Sequence, residues 1–579
     1  MKSAIFISIR NKATRLPGKS FLKIGEMPLV NFMLERVKCN NKRHKCYVTT
    51  STNPDDAIFR EVCPADTEIF YGSEEDKLDR YYNAMIQYGL EAAVIIDGDD
   101  PYFFQDAVAQ AIRFLEEERG DFCVYGPGPV GSGCIGVSKN ALKSILAVKS
   151  EHNTEVWGEY FMRNRLFYTR QLIPCERRFE LPEKRITLDY KEDYDFLRMI
   201  DRNLRGRVDF TDSQLVDCLN SISEDLVPNR LVSAKYEQNL KKSPEPGINF
   251  EDGLKGSYLI IGCGSMGRRR IRSLLALGVD PRRIYCTDTN FDRPEACELE
   301  YNVVQVHDLE ISSKYAGVFI CTPPDRHEEY IAAAINAGVP AFVEASVTND
   351  SLESLGRKAR ESEVIIFPSN TMSYFEETIA IENIVQSGKL GQVFYWNYRV
   401  GHNLHEWHPW ERVNDFYVSQ PETGGCREIV PFELTWLQRC FGKINTAVAS
   451  IHNLDPSIPV DDLYQVDITH ESGLRGFLTV DTLNYVGTRD LMVVGELATL
   501  FWNRRKSLLE VVDRNGGLVE VEFLNVWPDS WRETGEAPYI AEVRDFLLCA
   551  KFGVQPYYSL SVDAQNLDVL YAAETGSGI

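Results

Sequence analysis

Three glycines that directly follow a short apolar run restrict the fold of this chain more than any other feature. Residues 258–267 read Y-L-I-I-G-C-G-S-M-G, so Gly262, Gly264 and Gly267 fall between a strand and the start of a helix. At this spacing the glycines permit a tight turn, the close approach of a pyrophosphate and close packing of the helix, whose N-terminus favours an anion. Asp288 comes 21 residues after Gly267, at the end of the next strand, where a carboxylate can bind a ribose diol. The pattern predicts a dinucleotide-binding site.

The charges around this site bear on which dinucleotide it binds. A carboxylate suited to an unmodified ribose favours NAD(H) over NADP(H). The arginines at 268–270 and at 293 keep the phosphorylated cofactor open as the alternative.

Short apolar strands alternate with amphipathic helices over most of the chain. In the first part we predict strands at 4–9, 45–50 and 93–96 and helices at 31–38 and 106–117. In the second part we predict strands at 258–261, 283–287, 317–321 and 340–344 and helices at 267–277 and 325–337. This alternation predicts parallel sheets covered on both faces, with ligands at the carboxyl ends of the strands. From about residue 392 longer runs, at 392–400, 446–452, 464–470 and 474–483, predict a mostly antiparallel sheet.

A stretch rich in proline, glycine and charge separates the two parts. Residues 241–256 read K-K-S-P-E-P-G-I-N-F-E-D-G-L-K-G, without apolar periodicity, and the strand at 258–261 follows at once. We predict a linker here. At roughly 100–200 residues per domain, the 579 residues allow three or four domains, and we expect them at 1–240, 257–375 and 376–579.

The charge of the chain excludes two classes of function. There are 63 lysines and arginines against 85 aspartates and glutamates, a net charge of −22, whereas coating nucleic acid or an anionic membrane needs a basic surface. No run approaches the roughly 18 apolar residues of a membrane helix, and residues 1–10 lack the apolar core of a signal peptide. The fourteen cysteines form no C-x-x-C pair. We therefore expect a cytoplasmic protein with reduced thiols.

A cluster of cationic residues follows the first predicted strand. Residues 10–19 read R-N-K-A-T-R-L-P-G-K, which combines Arg10, Arg15 and Lys19 with a Pro-Gly turn. Guanidinium groups, a lysine point charge and backbone N–H donors can wrap a polyphosphate. The alternative is a solvated basic loop, but a basic cluster at a strand end in so acidic a chain favours the phosphate site.

This loop resembles the signature loop of cytidylyltransferases that activate acidic sugars, closest to the SpsF-like spore-coat polysaccharide branch. Further similar motifs are V-T-T-S-T-N-P-D-D (48–56), Y-G-S-E-E-D-K-L-D-R-Y-Y (71–82), G-D-D-P (98–101) and I-T-L-D-Y-K-E-D (186–193), and together they cover about residues 1–200. The resemblance implies cytidylyl transfer from CTP, with Mg²⁺, to an acidic sugar or a sugar or polyol phosphate. It implies metal ligation by Asp99 and Asp189, triphosphate binding by Arg10, Arg15 and Lys19, and nucleotide contacts from Asp79 and Arg80.

The first part departs from that family where the acceptor should bind. After G-D-D-P the chain continues Y-F-F-Q, where the family has a small apolar residue and an aspartate, and the segment 126–136 is unusually rich in glycine. The acceptor is therefore left open.

The second part resembles the Gfo/Idh/MocA oxidoreductases over about residues 255–579. The similar motifs are C-T-P-P-D-R-H (321–327), V-E-A-S (343–346), the run 401–418 and E-T-G-G (422–425) before a helix. The resemblance implies a Rossmann domain followed by a substrate-carrying α/β domain. The implied cofactor contacts are Gly262, Gly264, Ser265, Met266, Gly267, Asp288, Thr322, Pro323, His327 and Glu344.

The residues that move protons in that family are missing here. The E-K-P motif reads E-A-S, so Ala345 replaces the lysine, and Phe432 stands where the helix after the glycine pair carries a histidine, with Ile429 or a gap near its aspartate. Phenylalanine and alanine cannot carry protons. Either a group among Glu428, Glu433, His402, His405 and His408 substitutes, or this part binds dinucleotide with little or no ordinary sugar-alcohol dehydrogenase activity.

The fold class that follows is α/β: a Rossmann-like nucleotidyltransferase domain, a dinucleotide-binding Rossmann domain, and an α+β domain with a mostly antiparallel sheet. Three functions stay open. The first is a bifunctional enzyme for surface-glycan precursors, and the second is a working transferase with a redox-inactive NAD-binding assembly or sensing module. The third is a regulatory protein that senses both nucleotides without catalysis. We expect a homo-oligomer that contacts neither nucleic acid nor membrane.

Overall fold

The structure is a computed structural model of the chain. It describes residues 2–12, 15–126, 128–154, 157–162, 165–167, 169–172, 179, 181, 184–223, 227–229, 255–349, 351–407, 412–415, 417–519 and 526–576. The chain divides into two compact units, Met1–Asn249 and Phe250–Ile579. Of the predicted linker at 241–256, residues 241–254 lie outside the described residues.

The first unit is built on a seven-stranded sheet. Its strands, with a separate two-stranded ribbon formed by β2 and β3, are β1 Ser3–Ser8, β2 Lys23–Ile24, β3 Met27–Pro28, β4 Cys46–Ser51, β5 Glu68–Gly72, β6 Ala92–Asp97, β7 Phe122–Tyr125, β8 Ile135–Ser138 and β9 Thr169–Leu172. The strand order is β5-β4-β1-β6-β8-β7-β9. β1 is buried along its whole length and pairs in parallel with β4 and β6, because a central parallel strand is covered on both faces.

This sheet is mixed rather than parallel throughout, which corrects the expectation from strand–helix alternation. β8 runs antiparallel to both β6 and β7, while β9 is parallel to β7. The reason is the glycine-rich connection 126–134 between β7 and β8. A short connection reverses the chain direction, whereas a parallel crossover needs a dozen or more residues.

The first unit has eight described α-helices, several of which pack against this sheet. They are α1 Leu29–Asn40, α2 Phe59–Val62, α3 Lys77–Tyr88, α4 Gln105–Glu116, α5 Lys139–Val148, α6 Glu159–Met162, α7 Lys191–Leu204 and α8 Asp212–Ser221. In α4 the buried residues recur at helical spacing, with Ala107, Val108, Ala111 and Leu115 on the core face. The predicted helices at 31–38 and 106–117 correspond to α1 and α4.

The second unit begins with a six-stranded sheet that is parallel throughout. Its strands are β10 Tyr258–Ile261, β11 Ile284–Thr287, β12 Val304–Gln305, β13 Gly317–Ile320, β14 Ala341–Val343 and β15 Ile366–Pro368, in the order β12-β11-β10-β13-β14-β15. The helices of this part are α9 Ser265–Ala276, α10 Asp292–Tyr301, α11 His327–Ala337 and α12 Leu352–Glu361. This is the strand order of a dinucleotide-binding Rossmann domain, with the first strand at the centre, so that prediction is confirmed.

The second sheet of this unit has eight strands. They are β16 Val393–Asn403, β17 Ile444–His452, β18 Leu463–His470, β19 Arg475–Asp481, β20 Leu483–Gly495, β21 Ala498–Asn503, β22 Leu508–Asp513 and β23 Leu518–Val519. The helices are α13 Glu376–Gln386, α14 Leu404–Trp407, α15 Cys426–Phe441, α16 Asp529–Arg532, α17 Ala537–Phe552 and α18 Leu560–Thr575. β16 and β19 pair in parallel and the other neighbours are antiparallel, which confirms the mostly antiparallel sheet.

Two properties of the whole chain can be checked on the described residues. All thirteen cysteines in that part of the chain are free thiols. No helix that the structure describes has the length and apolar character needed to cross a membrane.

Candidate functional site

Lys19 lies between two carboxylates at the carboxyl end of the first unit's central strands. Its Nζ donates to Asp99 Oδ2 at 2.6 Å, to Asp189 Oδ1 at 3.3 Å and to the carbonyl oxygen of Leu188 at 2.9 Å. Asp99 follows β6, and Asp189 precedes α7. The backbone N–H of Leu188 donates to the carbonyl of Asp99 at 2.8 Å, which joins the two loops. The lysine of the basic loop and both predicted metal ligands are therefore together.

Asp189 is held by a network that the sequence motifs did not single out. Arg185 Nη2 donates to Asp189 Oδ2 at 2.7 Å, and Arg185 Nε donates to Asp193 Oδ1 at 3.0 Å. Asp193 Oδ2 accepts the backbone N–H groups of Asp189 and Tyr190, at 3.0 and 2.9 Å. Arg15 Nη2 lies 3.0 Å from Asp189 Oδ1. In the sequence, the regular spacing of four residues between Arg185, Asp189 and Asp193 was the signal from which this network could have been predicted.

The charges of this cluster stabilise one another. Burial disfavours the charged form of Lys19, but the carboxylates of Asp99 and Asp189 raise the pKa of its ammonium above the ordinary value. Burial likewise opposes ionisation of Asp99, yet the attraction of Lys19 holds the pKa of that carboxyl below its ordinary value. Burial and then the charge of Asp99 raise the pKa of the neighbouring Asp100 well above its usual range. The site thus presents an ammonium and an ionised carboxylate beside a carboxyl that resists ionisation.

Arg10, from the basic loop, and Arg80, from α3, both hold the backbone of the 73–74 loop. Arg10 Nη1 and Arg80 Nη2 both donate to the carbonyl of Glu74, at 2.9 and 3.0 Å, and Arg80 Nε donates to the carbonyl of Ser73 at 2.8 Å. Arg80 is fully buried and its guanidinium supports the 73–74 loop, while its predicted contact with the nucleotide stays a prediction. Asp79, in the first turn of α3, accepts from Asn83 at 2.8 Å. Its predicted contact with the nucleotide stays a prediction.

A cleft of about 370 Å³ opens beside Asp97 and Asp100, at the end of β6. Its lining includes Asp97, Asp100 and Tyr125 together with the glycines at 126, 128, 131 and 133, and no lysine or arginine is among its described lining residues. Gly131 has φ +91°, and a Cβ there would come within 2.7 Å of Thr187 and 2.9 Å of Asp100 Oδ1. The glycines therefore let the backbone approach the aspartate end of the sheet closely. The predicted acceptor region and the Asp99 loop share one edge.

The carboxylates of this site are chemically suited to Mg²⁺, which prefers oxygen ligands. Both aspartates already converge on one cation, the Lys19 ammonium. No group of three or more metal-ligating side chains occurs among the described residues. Asp99 and Asp189 therefore fit an ion shared with nucleotide phosphates and water, as Mg²⁺ commonly is, rather than one enclosed by protein alone.

In the second unit the three glycines of the 258–267 motif have distinct steric roles. Gly262 has φ +94°, and a Cβ there would lie 2.4 Å from the carbonyl oxygen of Cys321. A Cβ on Gly267 would lie 1.9 Å from the carbonyl oxygen of Gly262, whereas no described atom lies within 4 Å of one on Gly264. Ser265 is the first residue of α9, so the open space beside Gly264 adjoins the N-terminus of this helix. The geometry fits a pyrophosphate against Gly264 and the N-terminus of α9.

Asp288 is fixed next to the glycine loop. Its Oδ2 accepts the backbone N–H of Cys263 at 2.7 Å, and its Oδ1 accepts that of Asn290 at 2.8 Å. Arg293 Nη1 lies 3.8 Å from Oδ2. The carboxylate is therefore placed beside the pyrophosphate loop, as binding of a ribose diol requires. Met266, in the first turn of α9, has Sδ 3.4 Å from Arg269 Nη1.

Two other predicted cofactor residues bind the chain itself. His327 Nε2 lies 3.0 Å from the carbonyl of Thr322, in the 322–323 turn after β13, and burial lowers the pKa of this histidine. Glu344, at the end of β14, accepts from Arg270 Nε at 2.6 Å and Nη2 at 3.0 Å. Both side chains thus hold the carboxyl edge of the sheet in place. Their contact with a cofactor, like those of Thr322 and Pro323, stays a prediction.

Three family models match the chain. The cytidylyltransferase model matches residues 4–207. The NAD-binding Rossmann model of the Gfo/Idh/MocA oxidoreductase family matches residues 257–369, and the C-terminal domain model of that family matches residues 378–501. The chain joins a cytidylyltransferase domain to the two domains of a Gfo/Idh/MocA oxidoreductase. The two family resemblances that the sequence motifs indicated are confirmed.

Individual proteins match one part or the other. Over the cytidylyltransferase domain the chain is 26% identical to the spore coat polysaccharide biosynthesis protein SpsF of Bacillus subtilis, across 38% of this chain and 95% of SpsF. It is 28% identical to an uncharacterised protein of Methanocaldococcus jannaschii, across 37% of this chain and 91% of that protein. An inositol 2-dehydrogenase of Pseudomonas savastanoi pv. phaseolicola is 26% identical across 25% of this chain and 47% of its own length.

Solved structures resemble the oxidoreductase part. One is an oxidoreductase from Agrobacterium radiobacter in complex with NAD⁺, L-tartaric acid and magnesium, 15% identical, with a TM-score of 0.48 over 56% of this chain and 98% of that chain. Another is levoglucosan dehydrogenase in complex with NADH and levoglucosan, 14% identical, with a TM-score of 0.48 over 55% and 96%.

The oxidoreductase domains hold few free acid–base groups where substitutes were expected. Glu433 is fully occupied, because its Oε1 accepts from Arg489 and its Oε2 accepts from Tyr398 and Trp436. Burial lowers the pKa of His402 to about 4, so its imidazole is neutral at physiological pH. His405 is exposed, and His408 lies outside the described residues. Among the described candidates, Glu428 is neither fully paired nor exposed, and the roles of all these residues stay predictions.

Proposed function

We propose that the first unit transfers the cytidylyl group of CTP, with Mg²⁺, to an acidic sugar or to a sugar or polyol phosphate for surface-glycan synthesis. The second unit, in this proposal, binds NAD(H). The observation that carries the transferase assignment is the meeting of Lys19, Asp99 and Asp189 at the strand ends. An ammonium between two carboxylates, next to a basic loop, is suited to a nucleoside triphosphate and a divalent ion.

The reaction requires charge neutralisation and positioning more than covalent chemistry. An acceptor oxygen forms a bond to the α-phosphorus of CTP while the bond to the β-phosphate oxygen breaks, and pyrophosphate leaves. Mg²⁺ supplies charge neutralisation at the phosphates when it is bound. Lys19 and Arg15 hold phosphate oxygens, and Asp99 and Asp189 hold the ion. Arg185 and Asp193 fix the orientation of Asp189.

The acceptor class is supported by the cleft and by one relative. The cleft beside Asp100 has the size of a monosaccharide site, at the low end of ligand pockets. SpsF, which matches this domain over most of its length, is named for spore-coat polysaccharide biosynthesis. A sugar or polyol acceptor destined for a surface glycan agrees with both.

The test is release of pyrophosphate from CTP with Mg²⁺, across a panel of acidic sugars, sugar phosphates and polyol phosphates. We expect release with CTP and one acceptor class. Asp99→Asn should lower the rate about 100-fold or more, because it removes charge from the ion site while preserving shape.

The matched control for this test is Asp195→Asn. Asp195 lies on α7 of the same unit, where its half-exposed carboxylate is paired only with Lys191 at 3.1 Å among the described contacts. The control should keep the wild-type rate. Wild-type turnover in Asp99→Asn, or release that prefers another nucleotide over CTP, would overturn the assignment.

A second candidate function concerns the NAD-binding unit alone. Ala345 and Phe432 provide no proton carrier at the positions where the family has lysine and histidine. This observation favours a redox-inactive assembly or sensing module. Absorbance at 340 nm with sugars, their nucleotide conjugates and the transferase product distinguishes the two, since robust turnover excludes the inactive module.

A further inference from the structure

Glu428 has one buried carboxylate oxygen that accepts no described hydrogen bond, a property that it shares in the second unit with Asp563. It lies in the first turn of α15, and its Oε1 accepts the hydroxyl of Tyr417 at 2.8 Å. Among the residues that the structure describes, no atom donates to its buried Oε2. A buried carboxylate oxygen without a donor is costly, so such a group calls for a functional explanation.

The local backbone is built to bring these two side chains together. A Cβ on Gly424 would lie 1.9 Å from the carbonyl oxygen of Val418, so only glycine lets the 417–418 segment pass so close to the start of α15. Gly425, with φ +64°, then turns the chain into the helix. Thr423 Oγ1 also donates to the carbonyl of Tyr417, at 3.2 Å. The two glycines thus allow the hydroxyl of Tyr417 to reach the carboxylate of Glu428.

The start of α15 lies against the carboxyl edge of the Rossmann sheet. Arg427, the neighbour of Glu428, donates from Nη1 to the carbonyl of Val347 at 3.0 Å, just beyond the end of β14. Burial, then the charge of Glu428, and to a smaller extent the charge of Glu344 at that same strand end raise the pKa of Tyr417 well above its ordinary value. In a Rossmann sheet the ligand lies outside the carboxyl ends of the strands. The Tyr417–Glu428 pair therefore borders the region where the reactive end of a bound dinucleotide belongs.

We propose that Glu428, positioned by Tyr417, is the acid–base group of the dinucleotide unit and faces the nicotinamide. The inference rests on the proposed binding of NAD(H). In the oxidative direction a carbinol would lose its C–H hydrogen as hydride to the nicotinamide of NAD⁺ and its O–H proton to the Glu428 carboxylate, leaving a carbonyl. The proton then passes to solvent, so one hydride, which carries two electrons, and one proton are accounted for.

The electrostatic surroundings suit this role. Burial raises the pKa of Glu428 to about 7, partly offset by the hydrogen bond from Tyr417. Arg427 does not neutralise it, because its guanidinium is bound to Glu574 and to the Val347 carbonyl. Glu344 is taken by Arg270. A group that titrates near neutrality is the most effective general acid or base at physiological pH.

The experiment measures protons exchanged when cofactor binds to the full-length protein, and it needs no sugar substrate. NAD⁺ carries a positive nicotinamide ring, which favours an ionised carboxylate nearby, whereas the NADH ring is neutral. Calorimetry at pH 6.5 in two buffers of different ionisation enthalpy should show release of more than about half a proton with NAD⁺ and little with NADH. The dissociation constant of NAD⁺ should fall several-fold, at most about tenfold, from pH 6 to pH 7.

Three variants make the test specific. Glu428→Gln should abolish the proton release that accompanies binding of NAD⁺. Tyr417→Phe should move the midpoint of the linkage above that of the wild type, because the tyrosine hydrogen bond lowers the pKa of Glu428. Glu422→Gln changes an exposed carboxylate in the loop just before α15 and should behave as wild type.

The outcomes separate this inference from the proposal beneath it. If neither NAD⁺ nor NADH binds, the proposed dinucleotide function fails and takes the inference with it. If both bind but no proton is released, or Glu428→Gln releases as many protons as the wild type, only the role of Glu428 is overturned.

Discussion

We expect a single carboxylate, that of Asp288, to decide which dinucleotide the second unit prefers. Asp288 accepts the backbone N–H of Cys263 with one oxygen and that of Asn290 with the other, which holds the group beside the glycine loop. Asp288→Asn keeps an oxygen for only one of these N–H groups and removes the charge, so NAD⁺ affinity should fall about tenfold while NADP⁺ affinity holds or rises. Competitive binding of the two cofactors measures this, with the exposed Asp292→Asn as control. Higher affinity for NADP⁺ than for NAD⁺ in the wild type would contradict the role given to Asp288.

Burial of Glu428 also predicts how stability depends on pH. An ordinary glutamate has a pKa of 4.5, and burial raises the pKa of Glu428 to about 7 in the folded chain. Unfolding therefore releases a proton between these values, so this group lowers stability as pH rises from about 4.5 to 7 and has no further effect above. Relative to the wild type, Glu428→Gln should gain about 3 kcal/mol between pH 4.5 and pH 7.5. Thermal unfolding across pH tests it, and a difference that does not vary with pH would contradict it.

At the scale of one element, the turn between β10 and α9 contains one glycine that we expect to matter for stability and another that we expect to matter for binding of NAD(H). A methyl group on Gly267 would meet the Gly262 carbonyl oxygen at 1.9 Å, whereas one on Gly264 meets no described atom within 4 Å. Gly267→Ala should therefore lower the melting temperature of the protein, because backbone must move. Gly264→Ala should melt like the wild type yet bind NAD(H) at least about tenfold more weakly, because the methyl group occupies space that the pyrophosphate needs. Unchanged NAD(H) affinity in Gly264→Ala would place the pyrophosphate elsewhere.

Elements with a strong local pattern could be predicted from the sequence. The apolar runs became β1, β10 and β13 within one or two residues, because buried parallel strands require apolar side chains on both faces. The antiparallel β8 could not be predicted, since its direction depends on the short turn 126–134 and not on its own four residues. The Tyr417–Glu428 pair could not be predicted from the sequence either, because it depends on the tertiary contact between Val418 and Gly424.

At the scale of the whole molecule, the two units have separate hydrophobic cores. The core cluster of the first unit draws its described members from Ile5 to Ile222, and the largest cluster of the second draws them from Leu259 to Ala573. The candidate sites likewise take their residues from one unit each.

The last prediction follows from this separation and concerns coupling between the two sites. Asp99→Asn should abolish most pyrophosphate release and leave NAD⁺ affinity unchanged, while Gly264→Ala should do the reverse. The double variant should show the two losses side by side, because changes that share no partner add in free energy to within about 0.5 kcal/mol. Cytidylyl transfer should also be equally fast with and without saturating NADH. A change in transfer rate of more than about threefold on adding NADH would show that cofactor binding in the dinucleotide unit regulates the transferase. The chain would then be a regulated transferase rather than two independent activities.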